Sequence, residues 1–155
     1  REMLNTANIP SVAYVDGTAA SAAYLWSVIA DEVVAHPEAS VGSIGCVVCL
    51  TDVSKALEQD GIKPIYITST DGKVPFNPDG SFSDTFLEKL KQDVMRLGDN
   101  FVSHVSKYTG LSVEEIKATD AQMFHAEKAL EMGLVSSVMN HREFSNYLYN
   151  KLKEI

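Results

Sequence analysis

Apolar residues change period several times along the chain. Ser11-Val12-Ala13-Tyr14-Val15 is short, apolar and closed by Asp16-Gly17, the pattern of a strand entering a turn. Residues 19–26 are small and then apolar, as in a buried helix, so Ser21 falls where a strand gives way to a helix. Glu32-Val33-Val34-Ala35, closed by Pro37, reads as a second strand. Cys46-Val47-Val48-Cys49-Leu50, reached through the loop Val41-Gly42-Ser43-Ile44-Gly45, reads as a third. A helix over residues 53–59, stopped by Asp60-Gly61, and a strand over residues 63–68 continue the alternation. Alternating elements of this kind predict an α/β fold with a mainly parallel sheet and flanking helices.

The second half is helical. Leu87, Leu90, Val94, Leu97, Phe101, Val105 and Tyr108 recur at three- and four-residue steps, predicting one long amphipathic helix over residues 84–109 with Gly110 as its stop. Ser112-Val113-Glu114-Glu115 has the form of a capping box. A helix over residues 126–132 ends at Gly133, and residues 141–153 make a polar terminal helix within the terminal segment 141–155. Between strand and long helix, residues 69–83 carry Gly72, Pro75, Pro78 and Gly80 without periodicity, a long loop of the kind that often serves function.

Composition narrows the classes. The chain has 155 residues, enough for one domain with its own core, and 45% apolar with 22% charged residues reads as globular. A net charge of −8 with no basic stripe disfavours a nucleic-acid partner. No apolar run reaches the roughly 20 residues needed to span a bilayer, so no membrane segment is expected in this chain.

Cys46 and Cys49 form a C-x-x-C within an apolar run, where strand spacing sends the thiols to opposite faces, so both are expected to be plain buried thiols. No further ligands stand at zinc spacing, and no cofactor or metal is expected. His36, His104, His125 and His141 have no surrounding motif that aims them at Ser21 and read as structural or exposed. Asp31-Glu32 and Glu114-Glu115 read as solvated charges and a capping pair.

Three segments in fixed order resemble the signal-peptide-peptidase A family of serine peptidases, S49. They are Ala19-Ala20-Ser21-Ala22-Ala23-Tyr24, Val41-Gly42-Ser43-Ile44-Gly45, and Phe124-His125-Ala126-Glu127-Lys128-Ala129-Leu130-Glu131-Met132-Gly133-Leu134-Val135. The resemblance covers most of residues 9–138. Ala22 and Ala23 stand where the family typically has two glycines, a variant similar to its phage and prophage branch. Ser136 stands where Asp is common, without expected consequence for catalysis. Ser43 follows Ser21 by 22 residues, close to the family's usual interval.

The resemblance implies a ClpP/crotonase-like fold, a single S49 peptidase domain over residues 1–155, and cleavage of polypeptides through an acyl-enzyme on Ser21. A serine hydroxyl needs a base beside Oγ and donors aimed at the oxyanion. The family uses a Ser-Lys dyad, and Lys73, in Lys-Val-Pro-Phe-Asn-Pro, matches its lysine segment before the long helix. Lys55, on a helix in a polar setting, and Lys63, before Pro64, are its rivals. Ser43 would orient the lysine amine, and the N–H of Ala22 would supply one oxyanion donor.

Family members place a strand and a Gly-Gly turn ahead of the point where this chain begins. Arg1-Glu2-Met3-Leu4 is expected to lie inside the helix after that turn, and the chain to be truncated. Serine and lysine tend to come from different domains or subunits, which implies a homo-oligomer with a shared site. Three roles stay open: a capsid-assembly protease of the cytoplasm or phage prohead, a signal peptide peptidase attached to membrane only through an N-terminal segment, and a catalytically silent scaffolding subunit.

Overall fold

The computed structural model describes residue 6 and residues 9–153, apart from the side chain of Asp71. The expected helix at Arg1-Glu2-Met3-Leu4 lies outside the described residues. The chain divides into two compact units, one formed by the residues up to Gly45 and from Gly98 onward, the other by Cys46–Leu97. The strands are β1 (Val12–Val15), β2 (Thr18–Ala20), β3 (Glu32–Ala35), β4 (Ser40–Gly42), β5 (Met123–His125) and β6 (Ser137–Val138). The helices are α1 (Ala22–Ser27), α2 (Ser54–Gln59), α3 (Asp84–Thr109), α4 (Val113–Lys117), α5 (Ala126–Glu131) and α6 (His141–Leu152).

All the named strands lie in the first unit. The α/β class is as expected, but among the described residues the strands form two small sheets rather than one mainly parallel sheet. The first, ordered β1-β3-β6, is parallel throughout. In the second, ordered β2-β4-β5, β2 and β4 run parallel and β5 returns antiparallel. Strand β3 is central in its sheet, so its apolar run Val33-Val34-Ala35 is buried without alternation. Around it pack Tyr24 and Val28, then Phe101, Val102 and Val105 of α3, Ile116 of α4, Ala126 and Ala129 of α5, and Leu134. Full burial of a side chain as large as Leu134 stabilises by about 1.5–3 kcal/mol.

Helix ends in this unit follow local chemistry. The capping box read at Ser112 is present: its hydroxyl accepts from the Glu115 N–H, and Glu115 accepts the Ser112 N–H at 2.8 Å. Asn140 begins α6 with a second box, completed by Glu143. Helix α6 is tied down at both ends. His141 meets Asp16 at 2.6 Å, and farther along Tyr147 and Lys151 both donate to the Glu32 carboxylate.

The second unit departs from expectation. Residues 46–50 and 63–68 are not strands, because no described segment pairs with them along a ladder. Without a sheet face to enter, Cys46 and Cys49 are exposed thiols rather than buried ones. Val47, Ile65 and Ile67 are exposed as well. Order here comes instead from the expected loop, which forms a tight hairpin. Phe76 and Phe82 bridge, the Asn77 N–H donates to the Ser81 carbonyl at 2.7 Å, and the Ser83 N–H donates to the Pro75 carbonyl at 2.9 Å. Gly80 turns the hairpin at φ 88°, a left-handed conformation that suits glycine.

Helix α3 covers the predicted span, but its apolar stripe is buried in only one of the units. Phe101 and Val105, in the first unit, are buried, whereas in the second Leu87 and Leu97 are exposed and Leu90 and Val94 only half-buried. Among the described residues no helix is long and apolar enough to cross a membrane.

Candidate active site

Ser21 sits between β2 and α1, with φ 51° and ψ −118°. That conformation is rare for a residue with a Cβ and costs on the order of 1–3 kcal/mol. Two hydrogen bonds impose it. The Ser21 N–H donates to the Gly42 carbonyl at 2.9 Å, extending the β2–β4 ladder by one residue, and the Ser21 carbonyl accepts from the Leu25 N–H at 3.0 Å, opening α1. The hydroxyl makes no cap bond to the helix. A strand that turns this sharply into a helix lifts the intervening side chain away from both elements, the geometry that presents a nucleophile.

Ser43 belongs to the same corner. Strands β2 and β4 are in register with Ala20 opposite Gly42, so Ser21 and Ser43 each stand one residue past the end of neighbouring parallel strands. Ser43 also has a positive φ, 55°, and its N–H donates to the Gln122 carbonyl at 3.0 Å. Gly42 cannot be replaced freely, because a Cβ there would lie 2.3 Å from the Gln122 oxygen. Asp120 and Ala121, just before Gln122, have φ of 47° and 52°. Every positive-φ residue other than glycine among the described residues is thus in this row or in the turn that leads into it. The turn at residues 120–122 was not singled out from sequence. Its one local signal is Asp120, a residue type that tolerates the left-handed region.

The motif tyrosine locks the helix behind Ser21. Tyr24 is fully buried, and its hydroxyl donates to the Leu134 carbonyl at 2.7 Å, with burial holding its ionisation well above the ordinary tyrosine range. The Tyr24 segment and the Gly133-Leu134-Val135 segment are therefore one structural unit, although 110 residues separate the bonded pair. Ser136 completes that segment: its N–H donates to the Val33 carbonyl and its hydroxyl accepts the Val33 N–H. Ala22 opens α1 and is exposed; its N–H is one of those that a helix start leaves without an intrahelical acceptor.

Lys73 lies in the second unit, at the end of a 3-10 turn over Asp71–Lys73, with its N–H bonded to the Thr70 carbonyl at 3.1 Å. Its side chain is exposed, as are those of Lys55 and Lys63, so exposure does not separate the three.

The four histidines have other engagements. His125 Nδ1 lies 3.1 Å from the Ser40 hydroxyl, His36 Nδ1 accepts from the Glu38 N–H, His104 packs on Tyr108, and His141 pairs with Asp16. Among the described residues no cluster of three or more His, Cys, Asp or Glu side chains could hold a metal ion.

Comparison with known proteins decides the family. The family model described as Peptidase family S49 matches residues 3–154. The chain belongs to peptidase family S49. Its relatives include capsid assembly protease C of Escherichia phage lambda, 32% identical over 102 residues, which are 66% of this chain and 23% of that protein. Head-tail preconnector protein GP5 of Enterobacteria phage P21 is 29% identical over 84% of this chain and 26% of its own length. An Enterococcus faecium protein named "Putative signal peptide peptidase SppA" is 28% identical over 84% of this chain and 38% of its own length. The S49 chain thus spans well under half the length of these relatives. Membership supports a protease.

Proposed function

We propose that the chain is a serine endopeptidase that cleaves polypeptides through an acyl-enzyme on Ser21, with Lys73 as general base. The strained turn at Ser21, with Ser43 at the end of the adjacent strand, carries this reading: it spends conformational energy on a residue whose hydroxyl does not cap the helix that it opens. In the reaction, the Lys73 amine takes the Ser21 Oγ proton as Oγ attacks the scissile carbonyl. The Ala22 N–H donates to the oxyanion, and the lysine then returns the proton to the departing amine. Water repeats the sequence to release the acyl group. Ser43 orients the lysine amine.

A lysine acts as base only when desolvated. The exposure of Lys73 therefore calls for a cover, which we assign to a neighbouring copy in a homo-oligomer whose subunits share the site. The exposed Val47, Ile65 and Ile67 of the same unit support association. Similarity to the lambda capsid assembly protease and the P21 preconnector protein favours a phage assembly role, in the prohead or the cytoplasm, over cleavage of signal peptides. The ClpP/crotonase-like arrangement within a single S49 domain is part of this proposal.

Casein digestion together with labelling by a fluorophosphonate probe tests it. Ser21→Ala and Lys73→Ala should each lower digestion by roughly a thousandfold or more, and both should abolish labelling at Ser21. Undiminished digestion by either variant would reject the dyad, and a monomer working at the oligomer's rate would reject the shared site.

A further inference from the structure

Ser21 and Ser43 are tied to one peptide group. The carbonyl of the Gly42–Ser43 peptide accepts the Ser21 N–H at 2.9 Å, and the N–H of that peptide, contributed by Ser43, donates to the Gln122 carbonyl at 3.0 Å. A peptide group is planar and resists twisting, so whatever fixes Gln122 also orients the group that holds Ser21. The approach is close. A Cβ at Gly42 would stand 2.3 Å from the Gln122 oxygen, and one at Gly45 would stand 3.1 Å from the Ala121 methyl. Gln122 is held by the residues before it. Its N–H donates to the Thr119 carbonyl at 2.9 Å, closing a turn whose central residues, Asp120 and Ala121, both have positive φ. Turns of that form favour Gly, Asn and Asp, so Ala121 is kept there against its local preference. At the base of the turn Thr119 is 3% exposed, and apart from Tyr24 it is the one residue with a polar side chain that is buried among the described residues. Its hydroxyl donates to the Ile116 carbonyl of α4 at 2.7 Å, and its N–H donates to the same carbonyl at 3.1 Å.

We propose that Thr119 is a positioning residue for the reaction. Its buried hydroxyl anchors the strained turn, the turn sets the Gln122 carbonyl, and that carbonyl orients the peptide group that joins Ser43 to Ser21. The inference rests on the reading of Ser21 as nucleophile and of Ser43 as the group that orients the amine. The Ile116 carbonyl already has a partner in the Thr119 N–H, so the fold does not need the hydroxyl to satisfy it. What the second bond adds is restraint: it fixes the point at which α4 ends, and so the direction in which the turn leaves. Catalysis is sensitive to restraint of this kind, because a displacement of about 1 Å at a reacting group can cost about a hundredfold in rate. Every link from Thr119 to Ser21 lies within the first unit.

Thr119→Val keeps the shape of the side chain and removes its hydroxyl, whereas Thr119→Ser keeps the hydroxyl. Amide hydrogen exchange, read by NMR, and the kinetics of casein digestion are measured on both. Thr119→Val should speed exchange at the Ser21 and Ser43 amides by about tenfold and leave the Val34 and Ala35 amides of β3 within about twofold, the mark of a local opening. It should also lower kcat by about tenfold with KM within about twofold, because alignment is lost and binding is spared. Thr119→Ser should stay within about threefold of the parent protein in both measurements. Ala121→Val strains the same turn from an exposed position, by forcing a β-branched side chain into the left-handed region, and should reproduce the Thr119→Val pattern if that variant does not fold. Unchanged exchange at both serines overturns the proposal, as does faster exchange with full kcat, or an equal loss in Thr119→Ser. Unchanged exchange beside an inactive Ser21→Ala protein would sink the role of the turn alone. Full digestion by Ser21→Ala would sink the reading of Ser21 and, with it, any part of the turn in catalysis.

Discussion

The two units differ in what holds them. Every buried apolar side chain among the described residues belongs to the first, from Val15 through Val135, whereas Gly80 is the one buried residue of the second. The first unit joins residues far apart in sequence around β3 and α3, and the second relies on turns that close within a few residues. Backbone strain follows the same division. Ser21, Ser43, Asp120 and Ala121, the positive-φ residues with side chains, are all in the first unit. Strain persists only where surrounding packing over-determines it, and only the first unit has that packing. The unit that carries Ser21 is thus built for rigidity, and the one that carries Lys73 is built on a stiff hairpin with little core beneath.

The sharpest way to break this comparison is a methyl group. Gly42→Ala places a Cβ 2.3 Å from a backbone oxygen at φ 134°, and neither can move without disturbing β4 and β5. The expected cost is about 3 kcal/mol or more, a fall in Tm of roughly 10 °C. Gly72→Ala, in the second unit, meets nothing within 4 Å and should shift stability by no more than about 0.5 kcal/mol. Thermal melts of the two variants check the contrast, and equal shifts would refute it.

What could be read from sequence follows a physical line between local and distant causes. The Ser112–Glu115 box is chemistry within four residues, and the stripe through Phe101 and Val105 is chemistry within one helix; both were legible. The β3 run was legible because a short apolar stretch closed by Pro37 has few other fates. Residues 46–50 and 63–68 have the same composition, but a strand needs a partner, and pairing is not encoded in either segment alone. At the site, the serines were found by resemblance. Their adjacency depends on the Ala20–Gly42 register, and the strain at Ser21 on the Gly42 carbonyl, neither of which leaves a mark in the local sequence.

A second pair of substitutions sharpens the contrast at smaller scale. Leu134→Ala removes a side chain that is 1% exposed and should cost about 3 kcal/mol in urea denaturation. Ile67→Ala, at a position 95% exposed, should cost no more than about 0.5 kcal/mol in dilute monomer. The informative case is Ile67→Ala at high protein concentration. A cost that grows with concentration means that association covers Ile67, which would make the second unit's exposed face part of an assembly.

The smallest effect lies in the tie between α6 and β3, where the first unit behaves least like a core. The Lys151 ammonium first, and the Tyr147 hydroxyl second, hold the Glu32 carboxyl below the usual carboxylate range. Both side chains of the ion pair are about a third exposed, so solvent and salt screen it, and about 1 kcal/mol is the most it should contribute at neutral pH. A carboxylate whose folded value is depressed stabilises fully above its unfolded value, near pH 4.3, and that contribution disappears as pH falls through the lower folded value. Lys151→Met should therefore lower stability at pH 7 by up to about 1 kcal/mol, and the gap to the parent protein should be smaller at about pH 3. Urea melts at the two pH values measure the gap. A gap that stays constant would mean that Lys151 stabilises through its packing over the Tyr147 ring, 5.2 Å from its ammonium, and not through the charge of Glu32.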